Sequence, residues 1–413
     1  MATLISNIDL LVNTRKESTL LRGEELAHLP SIPNAYLIEE GGYIASYGSM
    51  EELKYKPEDF QTHREAKNRM VLPSWCDSHT HLVFAGSREM EFVDKIRGLS
   101  YAEIAERGGG ILNSACVLQQ TSEDELFQQS IQRLQEMIRL GTGAVEIKSG
   151  YGLTVDDELK MLRVIRRIKQ TVDIPVKASF LGAHSIPTEY KNNKEGYIRL
   201  ITDEMLPAIA RESLADFIDV FCEKGFFSAS DAERICTAGM KLGLKPKIHA
   251  NQLHASGGVQ MGVKLGALSV DHLETMDEDA IQSLSNSKTI GTLLPTAAFF
   301  LRMNFPPART LIQNNCAVAL ASDYNPGSSP SGNMNLVVSM ACIQMKMFPE
   351  EAINAATING AYAMELEKEV GSITVGKKAN LILTRPIPSL AFLPYSFGSN
   401  LIEEVMVKGN WIE

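Results

Sequence analysis

Short apolar runs and longer amphipathic stretches alternate through the middle of the 413-residue chain. Three of the amphipathic stretches follow a helix-start signal, at Thr154 with Asp157, Ser230 with Glu233 and Thr275 with Glu278. The apolar runs have the length and composition of buried strands. There are eight of them, at residues 70–75, 144–148, 175–181, 217–221, 246–249, 268–270, 289–294 and 317–321. Eight strands alternating with helices predict an α/β fold of the parallel (β/α)8 barrel type.

Both ends of the chain have a different pattern, in which β-branched and aromatic residues form short runs. Gly41 and Gly42 separate two such runs in NAYLIEEGGYIASYG, as in a β-hairpin. The C-terminal segments GSITVGKKANLIL and EEVMVKGNWIE have the same character. We therefore expect the two termini to form one small β-sandwich domain, from residues 1–67 and 366–413. The barrel domain would then occupy residues 68–365.

The charge balance narrows the kinds of partner that this chain can bind. Lys and Arg number 40 against 50 Asp and Glu, which gives a net charge of −10. Nucleic-acid binding is not expected, because it requires a basic face. An anionic small-molecule substrate would need a dedicated cation in its binding site.

The cysteine pattern and the hydrophobic runs indicate a compartment. The six cysteines form no C-x-x-C pair, which argues against a disulfide framework or a thiolate zinc site and favours a reducing environment. No stretch of 18 apolar residues occurs, and Asp9 interrupts the first apolar stretch, so no membrane span or signal peptide is predicted. We expect a cytoplasmic protein.

Histidines coincide with the ends of the predicted barrel strands. His79 and His81 follow the first strand, His249 ends the fifth and His272 ends the sixth, while the eighth leads to Asp323. Barrels of this type carry their chemistry at the C-terminal ends of the strands. Residues two apart in an extended chain point the same way, so His79 and His81 can reach one ion.

This set of side chains predicts a mononuclear metal site. Three imidazoles, from His79, His81 and His249, and the Asp323 carboxylate suit zinc first and iron next, with manganese also compatible. A bound metal ion lowers the pKa of its water from 15.7 to about 7 and polarises a carbonyl. Asp323 is the candidate base, and His272 is the candidate partner of the water or the developing oxyanion.

Each residue taken alone also has an ordinary structural explanation. A single buried histidine is commonly a hydrogen-bonded core residue, and a single aspartate after a strand commonly caps a turn. Lys148, if carbamylated, or Glu223 could bridge a second metal. Cys76 is expected to be a buried small hydrophobe. Three histidines are expected at the surface: His28, His63 and His254.

Several longer motifs resemble the imidazolonepropionase family of the amidohydrolase superfamily. They are FAGSREMEF, YAEIAERGGGI, EIKSGYGL, FLGAHSIP, DVFCEKGFF and SDYNPGSSP, and the likeness covers nearly the whole chain. The resemblance implies one metal ion and hydrolysis of the cyclic amide 4-imidazolone-5-propanoate to N-formimidoyl-L-glutamate, in histidine degradation. Barrels of this sort often pair, so a homodimer is possible.

The resemblance also implies roles for individual residues. Arg88 would bind the propanoate carboxylate through its guanidinium fork. His184 would contact the ring or its carbonyl, and Tyr101 and Tyr151 would line the pocket. Beside Asp323, the turn with Asn325, Gly327 and Ser328 would line the site, where backbone N–H groups can bind an anion.

One departure from the family affects the base. Some members carry a carboxylate after the fifth-strand histidine, but here the residues are Asn251 and Gln252. Gln252 is therefore assigned to substrate binding, and Asp323 is left as the base. Two other functions compete: a cyclic-amidine deaminase of the cytosine or guanine type on the same scaffold, and a non-catalytic scaffold protein.

Overall fold

Eight parallel strands form a nearly closed barrel in the computed structural model, which describes residues 2–99 and 109–412. Each strand pairs with its neighbours in chain order. The gap between the first and last strands is bridged at their C-terminal ends, where Asp323 N donates to His79 O at 3.0 Å and His81 N donates to Tyr324 O at 2.9 Å. The predicted barrel is confirmed.

The second sheet is built from the two ends of the chain, also as predicted. Its strands are β1 Ala2–Val12, β2 Ser31–Glu40, β3 Tyr43–Ser49, β4 Thr62–Glu65, β5 Met70–Pro73, β14 Leu381–Thr384, β15 Ile402–Val407 and β16 Asn410–Ile412. The strand order is β16-β15-β14-β5-β1-β2-β3, and β4 also pairs with β1. Side chains from both arms of this sheet share one buried cluster, which includes Ile8, Leu37 and Leu381.

The barrel strands lie close to the predicted runs. They are β6 Trp75–Thr80, β7 Thr142–Lys148, β8 Val176–Ala183, β9 Phe217–Cys222, β10 Lys245–Ala250, β11 Ser269–His272, β12 Ile290–Leu293 and β13 Val318–Leu320.

The first predicted run, 70–75, is wrong as a single barrel strand. Met70–Pro73 pairs with β1 and β14 in the terminal sheet, and the barrel begins at Trp75. The chain changes sheets at Ser74, whose N–H donates to Asn380 O. Gly143 permits this crossing, because a Cβ there would overlap the Ser74 side chain. The division at residues 67/68 and 365/366 stays a prediction, and this pairing favours a boundary a few residues later.

Helices cover the outside of the barrel. The α-helices are α1 Glu89–Ile96, α2 Ile111–Gln120, α3 Glu123–Arg139, α4 Val155–Thr171, α5 Lys194–Arg199, α6 Leu206–Glu212, α7 Ala229–Lys241, α8 Gly258–Lys264, α9 Glu278–Ser285, α10 Pro295–Leu301, α11 Ala308–Gln313, α12 Met334–Met345, α13 Pro349–Ala356, α14 Ile358–Tyr362 and α15 Phe392–Tyr395. A π-helical turn spans Leu200–Met205, and short 3-10 turns span Gly23–Ala27, Met50–Glu52, Pro57–Asp59 and Thr188–Tyr190. None of the helices described is long and apolar enough to cross a membrane.

One of the three predicted helix starts is confirmed. Thr154 accepts a hydrogen bond from Asp157 N and caps α4. The other two are wrong by two residues, because Ser228 caps α7 and Asp277 caps α9. Ser and Asp residues occur near the start of α7, and Thr and Asp residues near the start of α9, and each of these residue types can serve as a cap.

Candidate metal centre

Five side chains that are far apart in the sequence lie together at the C-terminal mouth of the barrel. His79 comes from β6 and His81 directly follows it, His249 comes from β10, His272 from the end of β11, and Asp323 follows β13. Asp323 Oδ1 lies 3.5 Å from both His79 Nε2 and His81 Nε2, and His249 Nε2 lies 3.3 Å from His81 Nε2. All five residues are buried.

The donor atoms of this cluster suit a metal ion. Ligand atoms of His79, His81 and His249 lie within 4.8 Å of one another, and those of His79, His272 and Asp323 do likewise. His79 Nε2 is buried and has no hydrogen-bond partner, which is a costly arrangement for a polar atom unless a ligand satisfies it. Three imidazoles and a carboxylate are a donor set that zinc and iron accept.

Carboxylates behind two of the histidines fix their tautomers. His79 Nδ1 lies 2.6 Å from Asp271 Oδ2, and His249 Nδ1 lies 3.1 Å from Asp219 Oδ1. A carboxylate can only accept, so each Nδ1 carries the hydrogen and each Nε2 has its lone pair available. Burial and the nearby Lys148 ammonium hold the pKa of His79 well below its usual range, which keeps the ring in the neutral form that binds metals.

A buried ion-pair network lies directly beneath these carboxylates. Lys148 Nζ donates to Glu146 at 2.5 Å and to Asp219 at 2.8 Å, and it lies 3.7 Å from Asp271. Lys247 also pairs with Glu146. Burial alone would lower the pKa of Lys148, but the carboxylates outweigh burial and raise it. A protonated lysine supporting both histidine partners argues against the carbamylated, two-metal alternative.

Glu223, the other candidate for a second metal, serves the loop after β10 instead. Its carboxylate accepts the backbone N–H groups of Lys224, Leu253 and His254, at 2.7, 2.9 and 3.2 Å. This loop carries Gln252 into the cavity described next.

A cavity of about 720 Å³ opens above the histidine cluster. Its lining includes eleven of the predicted site residues, namely His81, Arg88, Tyr151, His184, His249, Gln252, His272, Asp323, Asn325, Gly327 and Ser328. His79 lies behind this surface, fully buried. Tyr101 lies outside the described residues. The lining also has an apolar part that the sequence motifs did not predict, to which Phe92, Ile111 and Phe300 contribute.

Tyr151 and His184 occupy one wall of the cavity beside His81. The rings of His184 and His81 are stacked with centroids 5.1 Å apart, and the Tyr151 ring lies 5.5 Å from His184. Burial, followed by the effect of His249, lowers the pKa of His184 to about 3, so its ring is neutral. Glu158 holds the loop that carries Tyr151, because its carboxylate accepts the N–H groups of residues 150, 152 and 153.

The turn after Asp323 is organised differently from the prediction. The N–H groups of Gly327 and Ser328 both donate to Asn325 Oδ1 at 2.8 Å. The expectation that these backbone groups bind an anion is therefore wrong for this arrangement, since Asn325 already occupies them. The Ser328 hydroxyl instead donates to Asp323 Oδ2 at 3.1 Å and holds that carboxylate in place.

Glu274 is a site residue that the sequence analysis missed. Its side chain is only 1% exposed, Oε1 lies 3.4 Å from His272 Nδ1, and Oε2 has no hydrogen-bond partner among the described residues. His272 and Leu273 both have positive φ angles, 87° and 68°, which are strained for non-glycine residues. The available signal was the H-x-E spacing after a strand.

Three further histidines and Cys76 lie where the sequence predicts. His28, His63 and His254 are exposed, as expected. Cys76 is fully buried, and burial raises the pKa of its thiol to about 12, which fits an inert core residue.

Comparisons with known proteins agree with this geometry. The amidohydrolase family model matches residues 70–412. The chain is 57% identical to an imidazolonepropionase of Flavobacterium johnsoniae and 54% identical to one of Christiangramia forsetii, in both cases over the full length of each chain. An imidazolonepropionase of Clostridium tetani is 42% identical, over 94% of this chain and 93% of that one.

Solved structures share the fold at low sequence identity. A triazine hydrolase variant has a TM-score of 0.76 at 13% identity, covering 99% of this chain and 94% of its own. A guanine deaminase from C. acetobutylicum has a TM-score of 0.70 at 16% identity, covering both chains fully. These structures support only the fold, whereas the sequence matches also show the family. The chain belongs to the amidohydrolase family and, within it, to the imidazolonepropionases.

Proposed function

We propose that the protein hydrolyses the ring amide C–N bond of 4-imidazolone-5-propanoate to give N-formimidoyl-L-glutamate, a step of histidine degradation. Full-length relatives with 54–57% identity carry the name imidazolonepropionase. The observation that carries the proposal is that Arg88 faces the same cavity as His81, His249 and Asp323. A carboxylate-bearing ring can therefore place its amide over the histidine cluster while its side chain meets a cation.

One metal ion would be held by His79, His81, His249 and Asp323, with zinc the first candidate and iron the second. When bound, such an ion supplies Lewis-acid activation of water and of the ring carbonyl. The chain contributes neutral imidazoles whose orientation is set by Asp271 and Asp219.

Asp323 would handle the proton. Its Oδ1 faces the histidine nitrogens, and its Oδ2 is held by Ser328. A carboxylate in this position can accept a proton from the attacking water and return it to the ring nitrogen that leaves. Asn251 and Gln252 cannot take this role, because an amide is not a useful base.

His272 would stabilise the oxygen on which negative charge develops. Its ring lies 5.5 Å from that of His79 and 5.2 Å from that of His249, on the side of the cluster next to Asp323. A donor fixed at that position acts on the transition state more strongly than on the substrate.

The other cavity residues would bind the substrate. Arg88 would pair with the propanoate, which meets the need for a cation in a protein of net charge −10. Tyr151, His184 and Gln252 would contact the ring, and Asn325, Gly327 and Ser328 would shape the wall beside Asp323. A pocket role for Tyr101, a homodimer and a cytoplasmic location stay predictions.

The deaminase alternative shares the metal cluster but not the carboxylate partner. A neutral nucleobase offers nothing to Arg88, and the deaminases among the solved structures are only 14–16% identical to this chain. A non-catalytic scaffold is disfavoured because every position of the predicted metal cluster carries a functional side chain.

The decisive assay forms imidazolonepropionate from urocanate and follows its ultraviolet absorbance. We expect metal-loaded protein to accelerate the loss of absorbance and to yield N-formimidoyl-L-glutamate, whereas chelator-treated protein should not. Guanine and cytosine are tested as alternative substrates. Decay at the uncatalysed rate with metal-loaded protein would remove the proposal, and rapid ammonia release from a nucleobase would favour the deaminase.

A further inference from the structure

Arg88 does not stand alone in the cavity wall, because a carboxylate one helical turn away holds it. Arg88 precedes the first residue of α1, and Glu91 lies three residues later on the same face. Arg88 Nε and Nη2 both donate to Glu91 Oε2, at 2.8 and 2.6 Å. Both side chains are only 12% exposed, so solvent screens this pair weakly.

The geometry leaves one edge of the guanidinium available. A guanidinium offers two paired-donor edges, one formed by Nε with Nη2 and one formed by the two terminal nitrogens. Glu91 takes the first edge through a single oxygen. Nη1 is not used by Glu91 and lies beside Gly327, where a Cβ would overlap it, and both Arg88 and Gly327 line the cavity.

The second oxygen of Glu91 fixes the carboxylate itself. Glu91 Oε1 accepts the backbone N–H of Gly110 at 2.8 Å. Gly110 is the N-cap residue directly before α2 and has a φ of 86°, a conformation that favours glycine. Glu91 therefore joins α1, the start of α2 and Arg88 into one unit.

We propose that Glu91 is a positioning residue. It orients Arg88 so that the edge formed by Nη1 and Nη2 meets the side-chain carboxylate of the substrate, and it thereby helps to set specificity for an anionic ring. This inference rests on the proposed function, in which Arg88 binds that carboxylate. A rigid fork loses less freedom on binding than a mobile one, so orientation improves affinity.

A competing effect has the opposite sign. Glu91 also neutralises part of the charge of Arg88, and removing it could strengthen the attraction for an anion. The contacts favour positioning, because Glu91 occupies an edge that the substrate does not need. In E91Q the side chain has only one acceptor oxygen, which can accept a hydrogen bond from Arg88 or from Gly110 N, but not from both.

The test compares E91Q, R88A and the double variant on two substrates, with E89Q as the matched control. Glu89 is exposed on the same helix turn, and its carboxylate accepts a hydrogen bond from the Ser87 hydroxyl and not from Arg88. The substrates are the propanoate and an imidazolone with an uncharged propanamide side chain. We expect E91Q to raise KM for the propanoate about tenfold with little change in kcat. E89Q should match the wild type, and the propanamide should not distinguish wild type from E91Q.

The double variant separates positioning from a general loss of structure. If Glu91 acts through Arg88, adding E91Q to R88A should change KM no further. Equal impairment of both substrates by E91Q, or a propanoate KM that is unchanged or lower while R88A raises it, would overturn the inference and leave the proposed function standing. A propanoate KM unaffected by R88A would instead refute the role of Arg88 on which both depend.

Discussion

Asp323 combines three contacts with an unusual backbone conformation. Its Oδ1 lies 3.5 Å from His79 Nε2 and from His81 Nε2, its Oδ2 is held by Ser328, and its φ is 53°. Aspartate and asparagine both tolerate this left-handed region, so the position can be changed chemically without changing the chain path. That makes Asp323 a suitable place to test the assignment of the base.

We expect D323N to keep the fold and to lose at least about 100-fold in kcat, since an amide cannot accept the proton of the attacking water. Steady-state rates should be compared at equal measured metal content, with the melting temperature as the control for folding. Turnover near that of the wild type would show that another residue is the base.

Glu274 provides a second test at the scale of one residue. Burial alone would lower the pKa of His272, but the surrounding carboxylates, with Glu274 contributing most, together outweigh burial and raise it. We expect E274Q to lower kcat about tenfold with little change in KM, because the His272 ring loses the negatively charged carboxylate that orients it. E278Q, on the exposed first turn of α9, is the matched control. An unchanged kcat, or a fall in kcat that is accompanied by a rise in KM, would count against an orienting role.

At the scale of the strands, the barrel interior explains how the metal cluster is supported. Glu146 and Lys148 are two apart on β7, so both point inward. The parallel register places His249 opposite Asp271 on β11, and Lys247 opposite Asp219 on β9. Inward-pointing charges of strands that are not neighbours thus meet across the barrel interior beneath the histidines, as Lys148 does with Asp219 and Lys247 with Glu146.

This arrangement predicts a specific effect of D271N. The variant keeps the size of the side chain but removes the negative charge that fixes the His79 tautomer and pairs with Lys148. We expect metal affinity to fall by about 10–100-fold. Competition with a chelator measures it, and D279N, at an exposed position of α9, is the control. Equal affinity in wild type and D271N would show that His79 does not depend on this partner.

The elements also show what sequence patterns can and cannot predict. Apolar runs followed by histidine or aspartate located the cluster, because strand ends of one barrel converge whatever the helices between them do. The partners of those residues were not predicted, since Asp219 and Lys148 lie on strands that do not pair and meet only across the barrel interior. The run at 70–75 was wrong for a related reason: a buried strand has the same pattern in either sheet, and only its pairing decides which one it joins.

For the whole molecule, one buried lysine joins segments that the barrel separates in sequence. Lys377 Nζ donates to Val370 O at 2.9 Å, to Ser372 Oγ at 2.8 Å and to Ser18 Oγ at 2.6 Å. Ser18 follows β1, whereas Lys377 lies on the return from the barrel to β14. No carboxylate accepts from this ammonium in the described chain, so hydroxyl and carbonyl oxygens alone solvate its charge.

Burial lowers the pKa of Lys377 from 10.5 to about 8. Between pH 8 and 10.5 the unfolded chain therefore binds more protons than the folded one, and this group makes unfolding less favourable as pH rises. Below pH 8 both states are protonated, and the folded state carries the full penalty of the buried charge.

K377M removes the charge and its pH dependence together. From pH 7.5 to 9.5, we expect the free energy of unfolding of the wild type to increase relative to that of K377M by roughly 1–2 kcal/mol. Urea titrations followed by circular dichroism at the two pH values measure this difference. K378M is the matched control, because Lys378 forms an ion pair with Glu369 at the surface. A difference between wild type and K377M that stays constant across these pH values would show that Lys377 keeps its proton in the folded protein.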